Sequence, residues 1–313
     1  MVASLVGGLS RVRVTVAYAV IVSCVTTTLV SLSPEMQNRI IRHASTNLHN
    51  LSQGRIGTLV GSAFVVDAGP IYVWLPGLVC LLAVAELLWR SGRLVLAFGL
   101  GHIGATLLVA LGLLAAVELG WLPMSVSRAT DVGMSYGAAA VLGSLTAAIP
   151  SRWRPAWVGW WLAVAVAMAA MGTDFTDVGH ALALLLGMAL STRFGPPTGW
   201  TRLRYGLLIV GAAFGYLVLS STGLLVATAA GLLGAMVGAS ILRLRRWLTA
   251  KRAQAVSDRS ESSCHSTSKV ATPTATPLVI GFCRWVVGWS PVKCPGTLPS
   301  ASASTRPSSK KRP

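Results

Sequence analysis

The chain has 313 residues, 53% of them hydrophobic and only 11% charged, with a mean hydropathy of +0.66. Soluble domains carry about 25% charged residues, so a water-soluble globular fold is excluded and an all-α polytopic membrane bundle is expected. The net charge of +17 does not indicate nucleic-acid binding: half of the 26 Lys and Arg lie beyond Leu242 and the rest sit between apolar runs, as positive-inside topology requires.

Arg11 and Arg13 precede the first apolar run, residues 14–32. It exceeds the roughly 7–15 apolar residues of a signal peptide and is read as a retained span. A membrane span needs about 20 apolar residues, which predicts further spans at 71–89, 94–117, 132–149, 156–172, 176–192, 205–221 and 223–242. Arg90 and Arg93 follow the second span, Arg152 and Arg154 the fourth, Arg193, Arg202 and Arg204 the sixth, and Arg243, Arg245 and Arg246 the eighth. The intervening connections hold Glu118 with Arg128 and Asp131, then Asp174 with Asp177, then only Ser and Thr. This alternation predicts a multi-pass protein of the cell membrane with both termini cytoplasmic. Arg39, Arg42 and Arg55 in the first outer connection are the exception.

In that connection, 33–70, Met36, Ile40, Ile41, Ala44, Leu48 and Leu51 recur at helical spacing with Arg39, Arg42 and His43 between them. They read as one amphipathic helix on the membrane surface, or as a packed surface loop. The apolar piece Ile56 to Val66 is too short to cross. Gly206, Gly211, Gly215, Gly231, Gly234 and Gly238 in the last two spans permit close helix packing in lipid. After Lys251 the composition turns to Ser, Thr, Pro, Arg and Lys, which cannot build a core but can attract anionic lipid. The piece Leu278 to Trp289 is apolar and too short to span. Cys24, Cys80, Cys264, Cys283 and Cys294 show no metal or disulfide spacing, and no cofactor is implied. The expected organisation is a six-span core (1–195), two added spans (196–248) and a basic tail (249–313).

The residues with chemical potential sit at the starts of spans four and six. Gly133-Met134-Ser135-Tyr136-Gly137 follows Asp131, and Gly179-His180 follows Asp174 and Asp177. Polar residues inside spans default to a functional hypothesis. Both spans descend from the same face, and at 1.5 Å per residue Ser135 and His180 both lie roughly 5–6 Å below it. A serine–histidine dyad needs such level placement; a packing serine and a buried inter-helix contact are the structural alternatives. Asp177, three residues before His180, can orient the imidazole as the third member of a triad or cap the helix. Asp131 stands in the analogous place before Ser135. His102, on an ascending span, is expected roughly 18 Å below that face, too deep to join, and bonded to Thr106. Glu86 is read as structural, snorkelling or paired with Arg90. Gly-x-Ser-x-Gly also occurs in the nucleophile turn of α/β-hydrolases, but that turn needs a preceding strand, which is absent from the pattern here.

Taken together these residues resemble the rhomboid family of intramembrane serine proteases. There a Gly-x-Ser-Gly motif opens span four, and a small residue followed by His lies in span six, with glycines three and seven positions on. The matching positions are Gly133-Met134-Ser135, Gly179-His180 and Gly187. Glu86-Leu-Leu-Trp-Arg-Ser-Gly92-Arg93 is similar to the family's Glu-x-x-x-Gly-x-x-Arg/Lys region, and Ser62-Ala63-Phe64 lies in a similarly long first connection. The resemblance covers about residues 12–195. It implies a Ser135–His180 dyad acting on transmembrane segments of other membrane proteins, supported by Asp177, Gly133, Tyr136 and Asp131. The pattern also departs from the family. The His and Asn that stabilise the oxyanion correspond to Pro70 and Trp74, Tyr136 replaces a Gly, and Ala183 replaces the first Gly after His180. A non-proteolytic scaffold that binds membrane segments is therefore an alternative, and a transporter using Asp131, Asp174, Asp177 and His102 a third.

Overall fold

A computed structural model describes residues 10–66, 71–172, 174–220 and 223–267. The chain divides into two compact units, Met1–Val256 and Ser257–Pro313, and the packing below concerns the first. The helices are α1 (Arg13–Val30), α2 (Pro34–Ala44), α3 (Leu48–Ser52), α4 (Thr58–Gly61), α5 (Ile71–Trp89), α6 (Ser91–Glu118), α7 (Ser135–Ser144), α8 (Arg154–Met171), α9 (Phe175–Ser191), α10 (Arg202–Leu219) and α11 (Leu224–Thr267). Among the described residues, six helical segments are long and apolar enough to cross a membrane: Ser10–Val30, α5, α6, α8, α10 and Leu224–Val256. Helix α9 is apolar but has 17 residues.

Helix α7 corrects the prediction of a full span at 132–149. It has ten residues, about 15 Å, half of a roughly 30 Å hydrocarbon core. One 3₁₀ turn, Leu145–Ala147, extends it. Tyr136 through Ser144 are all buried, because α5, α6, α9 and α10 surround the helix. A helix encased in protein has no lipid boundary to reach, so hydropathy measures its surroundings and not its length.

The first connection also differs from the single helix expected. It breaks at Ser45-Thr46-Asn47 into α2 and α3. Asn47 Oδ1 accepts from the Asn50 amide at 2.8 Å, capping α3. The Asn50 side chain donates to the Arg42 carbonyl at 3.0 Å and the Ser45 carbonyl at 2.8 Å, occupying acceptors that the end of α2 leaves open. These short polar side chains compete with helical hydrogen bonding and end the run. Beyond them, α4 leads into a 3₁₀ turn at Ser62–Phe64, which is tied to α1 by Tyr18 Oη donating to the Ala63 carbonyl at 2.6 Å.

Glu86 does not pair with Arg90. Its carboxylate, 1% exposed, accepts from the Val14 amide at 3.1 Å, the Thr15 amide at 2.9 Å, the Thr15 hydroxyl at 2.7 Å and the Ser91 hydroxyl at 2.6 Å. It thus caps the first turn of α1 from another helix. The reason lies at the helix start, where Val12 makes no side-chain cap and the free amides need an acceptor.

Five of the six glycines singled out in the last two helices pack closely, while nothing lies within 4 Å of a Cβ built at Gly206. A Cβ at Gly211 would strike the Leu81 backbone, one at Gly77 the Phe214 ring, and one at Gly215 the Leu142 side chain of α7. On α11, Gly231 lies against Trp160, Gly234 against Gly159 and Gly238 against Pro155. Helix α10 therefore seats on α5 and α7 while α11 seats on α8. Tyr216 Oη joins the two, 2.6 Å from Thr228 Oγ1 and donating to the Leu224 carbonyl at 2.9 Å. Cys24 and Cys80 are free thiols. The expectations for Leu278 to Trp289 and the tail cysteines fall outside the described residues or side chains.

Candidate functional site

Ser135 is the first residue of α7 and half-buried. Gly133, two residues earlier, has φ +121°, a conformation that side chains rarely adopt, and the turn it makes aims the chain into α7. No side chain caps α7 at Met134. Instead the first connection holds the approach: Thr46 N donates to the Asp131 carbonyl at 2.9 Å, Asp131 N to Ser45 Oγ at 2.8 Å, and Gly133 N to the Ser62 carbonyl at 2.9 Å.

Helices α7 and α9 approach backbone to backbone. A Cβ on Gly143 would meet the Leu184 carbonyl and the Met188 amide, and one on Gly187 would meet the Ala140 carbonyl. This seam brings the first turn of α7 to His180, which is 9% exposed. The residue that touches His180 is Tyr136: the rings meet edge-on with centroids 5.3 Å apart and planes at 80°. Tyr136 fits because residue 179 has no side chain; a Cβ there would overlap the phenol. Neither ring nitrogen of His180 has a hydrogen-bond partner, so Ser135 and His180 are not hydrogen-bonded in this structure.

Asp131, Asp174, Asp177 and Tyr136 lie within electrostatic reach of one another at this end of the bundle. Asp174 is the helix cap, its Oδ1 accepting from the Thr176 amide at 3.1 Å. Asp177 is 3% exposed, and its Oδ2 has no hydrogen-bond partner and abuts Gly172. Burial first, and the neighbouring Asp174 second, push the Asp131 carboxyl up to about 7, opposed by the Tyr136 hydroxyl beside it. An unfolded Asp ionises near pH 4. Below about pH 4 both states hold the proton, and between about 4 and 7 only the unfolded chain releases it. Stability should therefore fall as pH rises through that window and level off above it. Thermal midpoints from pH 4 to 8 should show this slope flattened in Asp131→Asn.

His102 is where the sequence reading and the structure part most. Its Nε2 lies 3.1 Å from Ser62 Oγ, not against Thr106, because the first connection descends into the bundle to meet α6. Ser62 is 1% exposed and His102 4%. Ser45, Thr46 and Ser62 were not singled out as site residues. The available signal was a set of small hydroxyl residues, Ser45, Thr46, Thr58 and Ser62, in and beside an apolar stretch too short to cross.

Fold and site together define a polytopic helical membrane protein with a serine and a histidine on adjoining, partly encased helices. Residues 11–193 match the family model described as rhomboid-like protein, and the chain belongs to that family. The match ends before α10 and α11. No curated protein and no solved structure matches the chain.

Proposed function

We propose that this rhomboid-like protein is an intramembrane serine protease with Ser135 as nucleophile and His180 as base. The supporting observation is the state of His180, buried with both ring nitrogens unpartnered. An unsatisfied buried polar group costs about 1–3 kcal/mol and calls for a reason such as chemistry. A base whose hydroxyl partner aligns only when substrate is bound fits that state, since catalytic hydrogen bonds often tighten only in the complex.

In this reading Ser135 Oγ attacks the carbonyl carbon of a peptide bond in a client's transmembrane segment. His180 takes the hydroxyl proton and delivers it to the leaving amine. Water then attacks the acyl ester, His180 accepts its proton, and that proton returns to Ser135 as the carboxylic acid leaves. The Ser135 amide supplies one oxyanion donor, and Asp174, within electrostatic reach of His180, favours the transient imidazolium, with Asp177 beside it. A cell-membrane location with cytoplasmic termini places this end of the bundle outside, and the basic tail against anionic lipid.

A fluorophosphonate probe applied to native membranes tests the assignment. Labelling should occur at Ser135, vanish in Ser135→Ala, and fall about 10²-fold or more in His180→Ala. Equal labelling of His180→Ala, or none of the wild type, overturns it. A second reading, a scaffold that binds membrane segments without cutting them, is favoured by the Tyr136–His180 contact and by Pro70 and Trp74 at the family's oxyanion positions. Transport is disfavoured, because Asp131, Asp174 and Asp177 gather at one end and trace no path across the bundle.

A further inference from the structure

We propose that His102 is a positioning residue for Ser135, acting through Ser62, whose side chain it anchors and whose carbonyl holds the Gly133 amide. The inference rests on the reading of Ser135 as nucleophile.

Each link is a hydrogen bond. The Thr46 hydroxyl has one proton to share between the Thr58 carbonyl at 2.8 Å and Ser62 Oγ at 2.9 Å. His102 Nε2 lies 3.1 Å from Ser62 Oγ, a hydrogen bond that fixes the Ser62 rotamer whichever of the two groups donates. With its side chain pinned, Ser62 offers its carbonyl to Gly133 N at 2.9 Å. Gly133 has φ +121°, and the next residue but one is Ser135. No side-chain cap on α7 adds a hydrogen bond to this approach.

Besides the packing of Val132 and Met134 on the core, three backbone hydrogen bonds hold the segment before Ser135, to Ser45, Thr46 and Ser62, all in the first connection. Only Ser62 is tied in turn to a side chain of a membrane-spanning helix, through His102 on α6. The first connection is otherwise built from helices of 11, 5 and 4 residues, which have little stability of their own. His102 thus transfers the rigidity of a 28-residue helix to the backbone two residues before the nucleophile. Catalysis depends on this kind of placement, since a nucleophile displaced by about 1 Å loses much of its rate.

Two readouts on the full-length protein in membranes decide the matter. One is the rate of fluorophosphonate labelling at Ser135; the other is hydrogen exchange of the peptide containing residues 131–135. His102→Leu should slow labelling about tenfold, the order expected for one lost hydrogen bond, and should speed exchange in that peptide while α8 and α9 keep their protection. His102→Gln, whose side-chain amide can either accept from or donate to Ser62 Oγ, should restore both. Ser62→Ala keeps the carbonyl and removes the hydroxyl that both His102 and Thr46 reach, so it should produce an effect at least as large as that of His102→Leu. Wild-type exchange at 131–135 in both His102→Leu and Ser62→Ala overturns the proposal, as does a labelling loss that His102→Gln fails to rescue. If wild-type Ser135 is not labelled at all, the protease reading fails, and exchange alone still shows whether His102 holds the segment.

Discussion

Gly187→Val is expected to destabilise the protein by about 3 kcal/mol and to abolish Ser135 labelling. The position leaves no room: a Cβ there overlaps the Ala140 carbonyl, carbon and Cα, all backbone atoms of α7. No flexible side chain can swing aside, so the strain is relieved only by moving one helix from the other. The facing glycine makes separation costly, because Gly143 meets Leu184 and Met188 backbone in the same way. Helices in lipid gain much of their association from such close approach. Any benefit from removing a flexible glycine, below about 1 kcal/mol, is outweighed. Gly112→Ala is the control, since nothing lies within 4 Å of its Cβ position, and it should shift stability by less than about 0.5 kcal/mol. Unfolding in mixed micelles, followed by helical circular dichroism, gives both numbers. If Gly187→Val unfolds at the wild-type denaturant midpoint, α7 and α9 do not pack as described.

Long lipid-facing helices were legible in the sequence because hydropathy and length coincide there. The predicted run at 71–89 matches α5 (Ile71–Trp89), and 156–172 lies within two residues of α8 (Arg154–Met171). Hydropathy carries no information on whether apolar residues face lipid or protein, and so α7 was read as a full span. The same blindness affected depth. The sequence pairs His102 with Thr106 on its own helix, whereas its hydrogen-bond partner is Ser62, because the first connection packs into the bundle instead of staying at the surface. Small polar side chains decide that descent: Asn47 and Asn50 end the helices at the break, and Ser62 finds a hydrogen-bond partner in the bundle.

The candidate site was legible as residue types and not as contacts. The Gly-x-Ser and Gly-His motifs do lie on neighbouring helices joined by glycines. Their spacing could not reveal that Tyr136 takes the face of His180. Tyr136 and Gly179 form one unit, since the ring fills the volume that a side chain at 179 would need. This also links Tyr136 to the proposed chemistry: the phenol meets the imidazole while Ser135 is not hydrogen-bonded to it, so the proposed dyad requires an adjustment at the first turn of α7 or of the phenol. Helix α10, seated on Leu142 through Gly215, bears on how freely α7 can make that adjustment.

Glu86→Ala should be the costliest single change outside the site, destabilising the protein by about 3 kcal/mol or more. The carboxylate receives four hydrogen bonds at 2.6–3.1 Å from Val14, Thr15 and Ser91. Bonds to a charged acceptor are worth about 1.5–3 kcal/mol each, and removing the acceptor leaves its donors unsatisfied. Two of those donors are amides in the first turn of α1, where a negative charge also meets the positive end of the helix dipole. Thr15 is 1% exposed, which limits how readily water can replace the lost oxygen. Glu86→Gln separates the contributions. It keeps one acceptor oxygen and nearly the same volume, but presents an amide NH₂ to groups that are themselves donors, so it should recover less than half of the loss. The effect should be concentrated in α1, which packs on the bundle mainly through α5. Proteolysis or hydrogen exchange of residues 13–30 should therefore accelerate before the remaining helices lose protection. If Glu86→Ala melts with the wild type, the cap is not a determinant of how α1 docks.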